Sequence, residues 1–340
     1  MTTVNRRRLL TALALGGAGA LAACASGTAA RSRSASPGSG GTDALTLGLT
    51  YTPNIQFAPA YLALRNGDYA ANVALRHHGA QEGLFDALLA GTEHAVVAGG
   101  DEAAVAASNG RELVVIGGYY QRYPVQVIVS QDSPVTTLAD LRGRTVGLPG
   151  RSGETWYGLR LALDTAGLSQ DDVTVQETGY TQVSALMTGK VDAIVGFSNN
   201  DAVQLGQAGF PVRGLDVAQT VPLLGASIVT SASVLAARRA ELADAVVATA
   251  RGMSAFVEDP DAAVEAARAY VPDLVDATQA AHAREVAVAT AALIKPDEGS
   301  VIGALDRELV TSMVSFLGSH QLLGDTAVTP ETICDPLLTV

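Results

Sequence analysis

The sequence is poor in cysteine, in aromatic residues and in charge, with two cysteines, 5% aromatic and 16% charged residues in a chain of 340. Two cysteines cannot build the disulfide framework of a small secreted scaffold. Hydrophobic residues make up 48% of the chain, which excludes a disordered protein and provides cores for about two domains. The 34 acidic residues outnumber the 22 basic ones, for a net charge of −12. Such a chain repels phosphate backbones and anionic headgroups, so we expect no nucleic-acid partner and no membrane binding through a basic face.

Familiar catalytic motifs are missing as well. The sequence contains no G-x-S-x-G, H-E-x-x-H, C-x-x-C or G-x-G-x-x-G pattern and no Walker loop. Its five histidines include one adjacent pair, His77 and His78, whose side chains point apart on a strand or on a helix. We therefore expect a protein that is not an enzyme and that holds neither a cofactor nor a metal ion.

The N-terminus has the order of a secretory leader. A short run of arginines is followed by an uncharged stretch over residues 9–23 and then by Cys24. The uncharged stretch has 15 residues rich in Gly and Ala, whereas a membrane-spanning helix needs about 20 apolar ones. Residues 1–23 are therefore predicted to be a signal peptide. Leu21-Ala22-Ala23-Cys24 resembles a bacterial lipobox, in which cleavage makes Cys24 the lipid-carrying N-terminus.

The leader and the residues after it predict an exported protein tethered by lipid. Asn5-Arg6-Arg7-Arg8-Leu9-Leu10 resembles a twin-arginine signal, although an ordinary basic leader has the same composition. Residues 24–42 are predicted to be the lipidated cysteine and a flexible linker, because residues 25–42 contain no Val, Ile, Leu, Met or aromatic residue that could enter a core. We expect the folded body on the outer face of the cell membrane. Cys334 is then left without a disulfide partner and is expected to be buried and inert.

The body of the chain alternates short apolar runs with longer helical stretches, which predicts parallel sheets with helical crossovers. The candidate strands are residues 45–49, 95–97, 113–117, 125–130, 145–148, 173–177, 191–195 and 227–230. Beyond residue 230 only helical patterns remain, over residues 233–256, 260–269, 274–294 and 306–319. The fold class is therefore α/β with a helical C-terminal extension.

A polar, proline-containing interruption over residues 131–137 is interpreted as the border between two α/β lobes. The predicted first lobe starts with residues 43–130, the second lobe is residues 131–224, and residues 225–340 return to the first lobe and add the C-terminal helices. Two crossings between lobes make a hinge. Hinged α/β lobes bind their ligand in the cleft at the carboxyl ends of the strands.

Polar loops after the predicted strands are the candidate ligand site. Residues 145–155 run from a strand through a glycine-rich turn into a helix, where free backbone N–H groups beside Arg151 and Ser152 can bind a polar ligand. The same sequence is also typical of a tight turn that needs glycine. Asn199 and Asp201 follow another strand and match the donor and acceptor edge of a heterocycle. Both residue types are equally common in turns and helix caps.

Aromatic residues cluster at the predicted strand ends, where they could form stacking walls for a flat ring. At least half of the aromatic residues near these ends are expected to pack in the core or the hinge instead. Those selected as ligand contacts are Tyr51, Phe57, Tyr120 and Trp156.

Several segments resemble one protein family. Four segments are similar to the substrate-binding lipoproteins of ABC importers: Thr52-Pro53-Asn54 and the stretches over residues 63–69, 138–147 and 183–196. Within these, the resemblance is greatest to the clade that binds thiamine pyrimidine precursors, whose relatives bind riboflavin, nitrate and sulfonates. Two departures stand out, because this clade usually has Trp at the position of Tyr51 and commonly has Glu at the position of Asp201.

The resemblance implies a two-lobed periplasmic-binding-protein fold of type II, with two parallel-type sheets and helices on both faces. It implies a monomer that binds one small molecule between its lobes, performs no chemistry and delivers the ligand to a permease and an ATPase subunit. A heteroaromatic ligand similar to a thiamine pyrimidine precursor is the first expectation, and riboflavin, nitrate or an alkanesulfonate are alternatives. An exported sensor, adhesin or hydrolase is the alternative of another class. The expected ligand contacts are Tyr51, Asn54, Phe57, Tyr120, Arg151, Ser152, Trp156, Asn199 and Asp201.

Overall fold

The described part of the chain is its α/β body, and a computed structural model gives residues 44–79 and 82–338. The predicted signal peptide, the lipobox with Cys24 and the predicted linker all lie outside the described residues. None of the helices within the described ranges combines the length and the apolar character needed to cross a membrane.

Within the described residues, ten strands form two sheets of five. Their bounds are β1 (Leu45–Leu49), β2 (Val73–His77), β3 (Ala95–Gly99), β4 (Leu113–Gly118), β5 (Val125–Ser130), β6 (Thr145–Leu148), β7 (Thr174–Glu177), β8 (Ala193–Phe197), β9 (Val212–Asp216) and β10 (Ala226–Ser231). The first sheet has the order β2-β1-β3-β10-β4 and the second has the order β7-β6-β8-β5-β9. Strands β3 and β4 are runs of aliphatic residues and glycine that are buried throughout, as expected of sheets covered on both faces.

The predicted type II two-lobed fold is confirmed, with a correction to the strand directions. Both sheets are mixed rather than wholly parallel, because β10 is antiparallel to β3 and β4, and β5 is antiparallel to β8 and β9. Each antiparallel strand is the first one after the chain crosses from the other lobe. It therefore enters its sheet from the opposite direction to the strands that follow helical crossovers.

The chain crosses between the sheets at residues 119–124 and again at residues 217–225. The sequence prediction put the first border at residues 131–137 and so assigned β5 to the first lobe, whereas β5 pairs with β8 and β9 of the second sheet. The polar run over residues 131–137 is the loop after β5, within the second lobe. An apolar strand such as β5 fits either sheet equally well, so its sequence alone did not indicate which lobe it joins.

Helices fill the space around both sheets. Their bounds are α1 (Ala58–Asn66), α2 (Asp86–Leu89), α3 (Gly100–Ser108), α4 (Gly153–Thr165), α5 (Gln182–Met187), α6 (Asp201–Gln207), α7 (Ala232–Glu258), α8 (Pro260–Ala267), α9 (Ala277–Ile294), α10 (Arg307–Ser319) and α11 (Pro330–Ile333). The predicted helical extension is therefore confirmed. Side chains of Asp259 and Asp276 accept hydrogen bonds from the first N–H groups of α8 and α9, which fixes where these helices begin. Helix α9 packs against α7 and α8 and also contacts α6 of the second lobe.

Two edge strands were not predicted from the sequence. Strand β2 includes Arg76 and His77, and strand β9 includes Arg213 and Asp216. An edge strand is only partly covered, so it needs no continuous apolar run and resembles a polar loop in sequence. The eight strands that were predicted correspond to the other eight strands of the two sheets.

The C-terminal segment extends the edge of the first sheet. Backbone N–H groups of Asp335 and Leu337 donate to the carbonyl oxygens of Val115 and Ile116 at 3.0 and 2.9 Å. Cys334 is buried in this segment and has no disulfide partner among the described residues. Burial raises the pKa of its thiol to about 11, so the thiol stays protonated and unreactive, as the sequence analysis expects.

Candidate functional site

The candidate site is built from loops that follow the carboxyl ends of five strands. The loops after β1 and β3 belong to the first lobe, and the loops after β6, β7 and β8 belong to the second. The two lobes meet directly here, because the backbone N–H of Glu154 stabilises the ionised form of Glu102 across the boundary. We call the space between these loops the cleft.

Three carboxylic acids lie together at this boundary. Asp101 and Glu102 are in the first turn of α3, and Glu154 is in the first turn of α4. One carboxylate oxygen from each of the three side chains lies within 4.8 Å of the other two. We call these residues the carboxylate cluster. Partial positive charge at the start of each helix favours acidic residues there, and this offsets part of their mutual repulsion.

The carboxylate cluster has raised pKa values. Burial raises the pKa of Glu102 to about 7, and the backbone N–H groups of Gly99 and Glu154 act in the opposite direction. Burial and the neighbouring charge of Glu102 raise the pKa of Asp101 well above its ordinary range. Burial, Asp101 and Glu102 do the same for Glu154. At neutral pH the cluster therefore holds fewer negative charges than three isolated carboxylates would.

Hydrogen bonding leaves part of the carboxylate cluster unsatisfied. The Tyr123 hydroxyl lies 2.9 Å from Asp101 Oδ2 and 3.0 Å from the backbone oxygen of Glu154, within donating distance of both. Glu154 Oε1 is buried and has no hydrogen-bond partner among the described residues. A buried acceptor without a donor costs about 1–3 kcal/mol, and a ligand that supplies a donor removes this cost.

Asn199 joins the second lobe to helix α9. Its side chain is 1% exposed, and its Nδ2 lies 3.0 Å from Thr290 Oγ1 and 3.3 Å from the Tyr120 hydroxyl. Its Oδ1 is buried and unpartnered among the described residues. Burial raises the pKa of the Tyr120 hydroxyl, the hydrogen bond from Asn199 lowers it, and the charge of Glu154 raises it further.

Asp201 is held by partners inside the second lobe. It is 3% exposed, and its two oxygens accept hydrogen bonds from the Phe197 N–H at 2.7 Å and from Gln182 Nε2 at 3.0 Å. Burial raises the pKa of Asp201, and these two donors counteract part of that effect. The Asp201 oxygens thus bridge the turn between β8 and α6 and tie it to α5, which agrees with the turn role that the sequence analysis left open.

Trp156, Arg151 and Ser152 lie around the start of α4. Trp156 is 7% exposed, and the guanidinium carbons of Arg151 and Arg160 lie 5.3 and 5.7 Å from the centre of its ring system. Arg151 also pairs with Glu177, with Nε 3.2 Å from Oε1. Ser152 precedes α4 and is exposed, and its hydroxyl makes no capping hydrogen bond. The indole ring is therefore already in contact with two cations.

The loop after β1 carries one exposed ring and one buried ring. Tyr51 is 48% exposed, whereas Phe57 is 8% exposed and packs edge-on against His77 at 5.6 Å between ring centres. The Asn54 side chain accepts from the Gln56 N–H and donates to the Thr52 oxygen, so it caps the short turn that follows. Of these predicted contacts, the structure leaves only the Tyr51 ring largely open to solvent.

Sequence reasoning did not select Tyr180 or the carboxylate cluster. Tyr180 follows β7 in the second lobe and is 84% exposed. Asp101 and Glu102 directly follow the apolar β3 and two glycines, which is the same strand-end signal that singled out residues 145–155. The strand-end rule could therefore have found this cluster, had it been applied to every strand.

A comparison with protein-family models shows which family the chain belongs to. A family model described as NMT1/THI5 like matches residues 54–263, more than half of the chain. This chain belongs to the NMT1/THI5-like family. The suspected family resemblance is thereby confirmed.

Relatives of this NMT1/THI5-like chain include a protein named for riboflavin binding. The riboflavin-binding protein RibY of Chloroflexus aurantiacus is 34% identical over 234 residues, which is 67% of either chain. A putative thiamine biosynthesis protein of Haemophilus influenzae is 33% identical over 99 residues, covering 29% of this chain and 31% of that protein.

Solved structures show the same fold. The periplasmic aliphatic sulphonate-binding protein SsuA from Escherichia coli aligns with a TM-score of 0.67 at 16% identity, over 86% of this chain and 98% of that one. The alkanesulfonate-binding protein SsuA from Xanthomonas axonopodis pv. citri aligns with a TM-score of 0.64 at 17% identity, over 87% of this chain and all of that one. This NMT1/THI5-like chain therefore has the two-lobed fold of these periplasmic binding proteins.

The stability of this NMT1/THI5-like protein is expected to fall as the pH rises from 5 to 8. The pKa of Glu102 moves from its ordinary value of 4.5 to about 7 in the folded state, so over this range the folded chain holds a proton that the unfolded chain has released. Urea unfolding at each pH measures the trend. Glu154→Gln should flatten it, because Glu154, whose own pKa is also raised by burial, no longer titrates.

One other group titrates in that window with the opposite sign. Burial lowers the pKa of His77 from 6.5, so His77 costs stability as the pH falls. The contribution of His77 cancels when the unfolding free energy of Glu154→Gln is subtracted from that of the wild type at each pH. A difference between the two profiles that does not depend on pH would contradict the account of the carboxylate cluster.

Replacement of Asn199 by alanine is expected to destabilise the protein by about 1–3 kcal/mol, because the buried Thr290 and Tyr120 hydroxyls lose a shared partner. Thr290→Val is the milder control, since Asn199 Nδ2 keeps its contact with Tyr120. Urea unfolding compares the two variants. Equal losses for both would show that Tyr120 contributes nothing to holding Asn199.

Proposed function

We propose that this protein is the extracytoplasmic receptor of an importer for a flavin-class heteroaromatic nutrient, bound in the cleft and handed to a permease and an ATPase. Lipid attached to Cys24 would hold it on the outer face of the membrane. The observation that most favours a flat aromatic ligand is a pair of exposed tyrosine rings, which follow strands of opposite lobes. Tyr51 is 48% exposed after β1 and Tyr180 is 84% exposed after β7. Exposed aromatic faces are the usual platforms for a flat ring.

The kinship to RibY supports this ligand class, since RibY is named as a riboflavin-binding protein and is 34% identical over 67% of this chain. The charges of the cleft support it as well. The loops after β1, β3, β6 and β8 contain a single basic residue, Arg151. Its guanidinium group already forms an ion pair with Glu177 and lies over the Trp156 ring. An anionic ligand such as nitrate or a sulfonate would find acidic groups at Asp101, Glu102 and Glu154 instead of a free cation.

A thiamine pyrimidine precursor is the second candidate. It is favoured by the match to the NMT1/THI5-like family model and by the segment shared with the putative thiamine biosynthesis protein. An aminopyrimidine is also flat and rich in hydrogen-bond donors, so it would use the same groups of the cleft. Direct competition with riboflavin separates the two candidates.

Fluorescence titration of riboflavin with the purified protein tests the proposal, because stacking on a tyrosine quenches the flavin. We expect saturable quenching in the wild type and a loss of roughly 10-fold or more in affinity for Tyr180→Ala or Tyr51→Ala, about 1–3 kcal/mol for one stacked ring. Val275→Ala is the control, because Val275 is 79% exposed and lies among the C-terminal helices. Full affinity in both tyrosine variants would contradict the stacking model.

A further inference from the structure

The carboxylate cluster and Asn199 each hold a buried acceptor without a donor in the described part of the chain. Glu154 Oε1 and Asn199 Oδ1 are both buried, and neither has a partner among the described residues. Asn199 is 1% exposed, and its own donor is used by Thr290 and Tyr120. Asn199 thus adds a neutral acceptor to a site that is otherwise acidic.

The two lobes contribute to this set of acceptors jointly. Asp101 and Glu102 come from the first lobe, while Glu154 and Asn199 come from the second. The groups that face the carboxylates are the hydroxyls of Tyr123, Tyr157 and Tyr120, together with backbone N–H groups. Within the described part of the chain, none of the three carboxylates forms an ion pair with Lys, Arg or His.

Such a site selects its ligand by hydrogen-bond donors. A carboxyl oxygen that has no donor accepts a hydrogen bond, and a hydrogen bond to an ionised member of the cluster is about twice as strong as a neutral one. A ligand with several hydroxyl or amino donors can satisfy the buried oxygens from both lobes at once. A ligand with a phosphate or sulfonate at the same end brings like charge and acceptors only, so it is repelled.

We propose that Asp101, Glu102 and Glu154 form the donor-binding subsite of the cleft, which takes the hydroxyl groups of a polyol-bearing heteroaromatic ligand and rejects its phosphorylated form. The inference rests on the proposed function. In a flavin the isoalloxazine ring would occupy the tyrosine platforms, and the ribityl hydroxyls would donate to the carboxylate cluster. Because the acids come from both lobes, a ligand bound there also holds the lobes together.

Three flavins test the subsite in the wild-type protein. Riboflavin has the ring and the free polyol, lumiflavin has the ring without the polyol, and flavin mononucleotide has a phosphate on the polyol. We expect riboflavin to bind roughly 10- to 100-fold more tightly than either of the others. Lumiflavin lacks the hydroxyl groups that would donate hydrogen bonds to the carboxylate cluster, and the phosphate of flavin mononucleotide is repelled by the cluster. Flavin mononucleotide binding as tightly as riboflavin would overturn the subsite while leaving the receptor function standing.

Glu154→Gln and Glu112→Gln form a matched pair of variants. Each replaces one carboxyl group by a neutral amide, but Glu112 is exposed and precedes β4, at the end of the sheet opposite to the cleft. We expect Glu154→Gln to weaken riboflavin roughly 10-fold, to leave lumiflavin within about 2-fold and to narrow the discrimination against flavin mononucleotide. Glu112→Gln should change none of these. Equal losses for riboflavin and lumiflavin in Glu154→Gln, with an unchanged unfolding midpoint, would overturn the inference.

Two further arms separate this inference from the proposed function. If no flavin binds but 4-amino-5-hydroxymethyl-2-methylpyrimidine does, and Glu154→Gln weakens it, the flavin proposal fails and the donor-binding subsite stands. If taurine or nitrate binds and the flavins do not, both fail. Micromolar binding of Ca²⁺ to the flavin-free protein, lost in Glu154→Gln, would make the carboxylate cluster a cation site and overturn the inference.

Discussion

Replacement of Gly252 by alanine is expected to destabilise the protein by about 2–4 kcal/mol, because helices α1 and α7 touch at this residue. A Cβ at Gly252 would lie 2.1 Å from the Pro59 carbonyl oxygen, 2.8 Å from Ala63 Cβ and 3.0 Å from Ala63 N. Two of these atoms belong to the α1 backbone, so the helices must separate to admit the methyl group. Helix α1 follows the loop that carries Tyr51, so the shift would also reach the cleft.

Gly206→Ala is the matched control for that substitution. Gly206 also lies in a helix, but a Cβ there would meet nothing within 4 Å. We expect a neutral effect or a gain of up to about 1 kcal/mol, since alanine is the better helix former. Thermal unfolding of the two variants provides the measurement. A Gly252→Ala protein as stable as Gly206→Ala would mean that α1 and α7 are not in close contact.

Replacement of Asp201 by alanine is expected to cost about 2–4 kcal/mol, whereas asparagine should cost less than about 1 kcal/mol. Alanine leaves the Phe197 N–H and the Gln182 amide without acceptors inside the second lobe. Asparagine still accepts from Phe197 through Oδ1, and its amide can donate to Gln182 Oε1, which has no partner among the described residues. Removing the charge also relieves the desolvation that raises the pKa of Asp201.

Urea unfolding and ligand titration of the same two variants distinguish a structural role of Asp201 from a ligand contact. If Asp201 only bridges the turn before α6, Asp201→Asn keeps both its stability and its affinity for riboflavin. A stable Asp201→Asn protein with strongly reduced affinity would instead make Asp201 a ligand contact, as the sequence analysis first expected.

The sequence predicts the buried strands and long helices well, because their composition reflects burial directly. Strand β3, with the sequence AVVAG, can only be an inner strand, and Asp259-Pro260 marks the start of α8. The edge strands β2 and β9 and the lobe assignment of β5 depend on which neighbour each strand pairs with. Pairing partners far apart in the chain leave no mark in the composition of a single strand.

The candidate site is predicted less completely than the fold. Strand-end loops indicate where a ligand would bind, but they do not indicate which side chains already have partners within the protein. Trp156 is engaged by two arginines and Asp201 by two donors, whereas Tyr180 is left open. Glu102 and Glu154 become neighbours across 52 positions in the sequence only because the lobes meet at α3 and α4.

A thermal-shift titration with a ligand panel tests the central claim, that the cleft binds a neutral, donor-rich heteroaromatic molecule. The panel is riboflavin, 4-amino-5-hydroxymethyl-2-methylpyrimidine, thiamine, nitrate and taurine, each added to the purified protein. A ligand at 100 times its dissociation constant stabilises the fold by about 2.7 kcal/mol, which raises the midpoint by roughly 5–10 °C. The account predicts a shift of this size with riboflavin and none with nitrate or taurine. A shift with taurine or nitrate and none with riboflavin would contradict it.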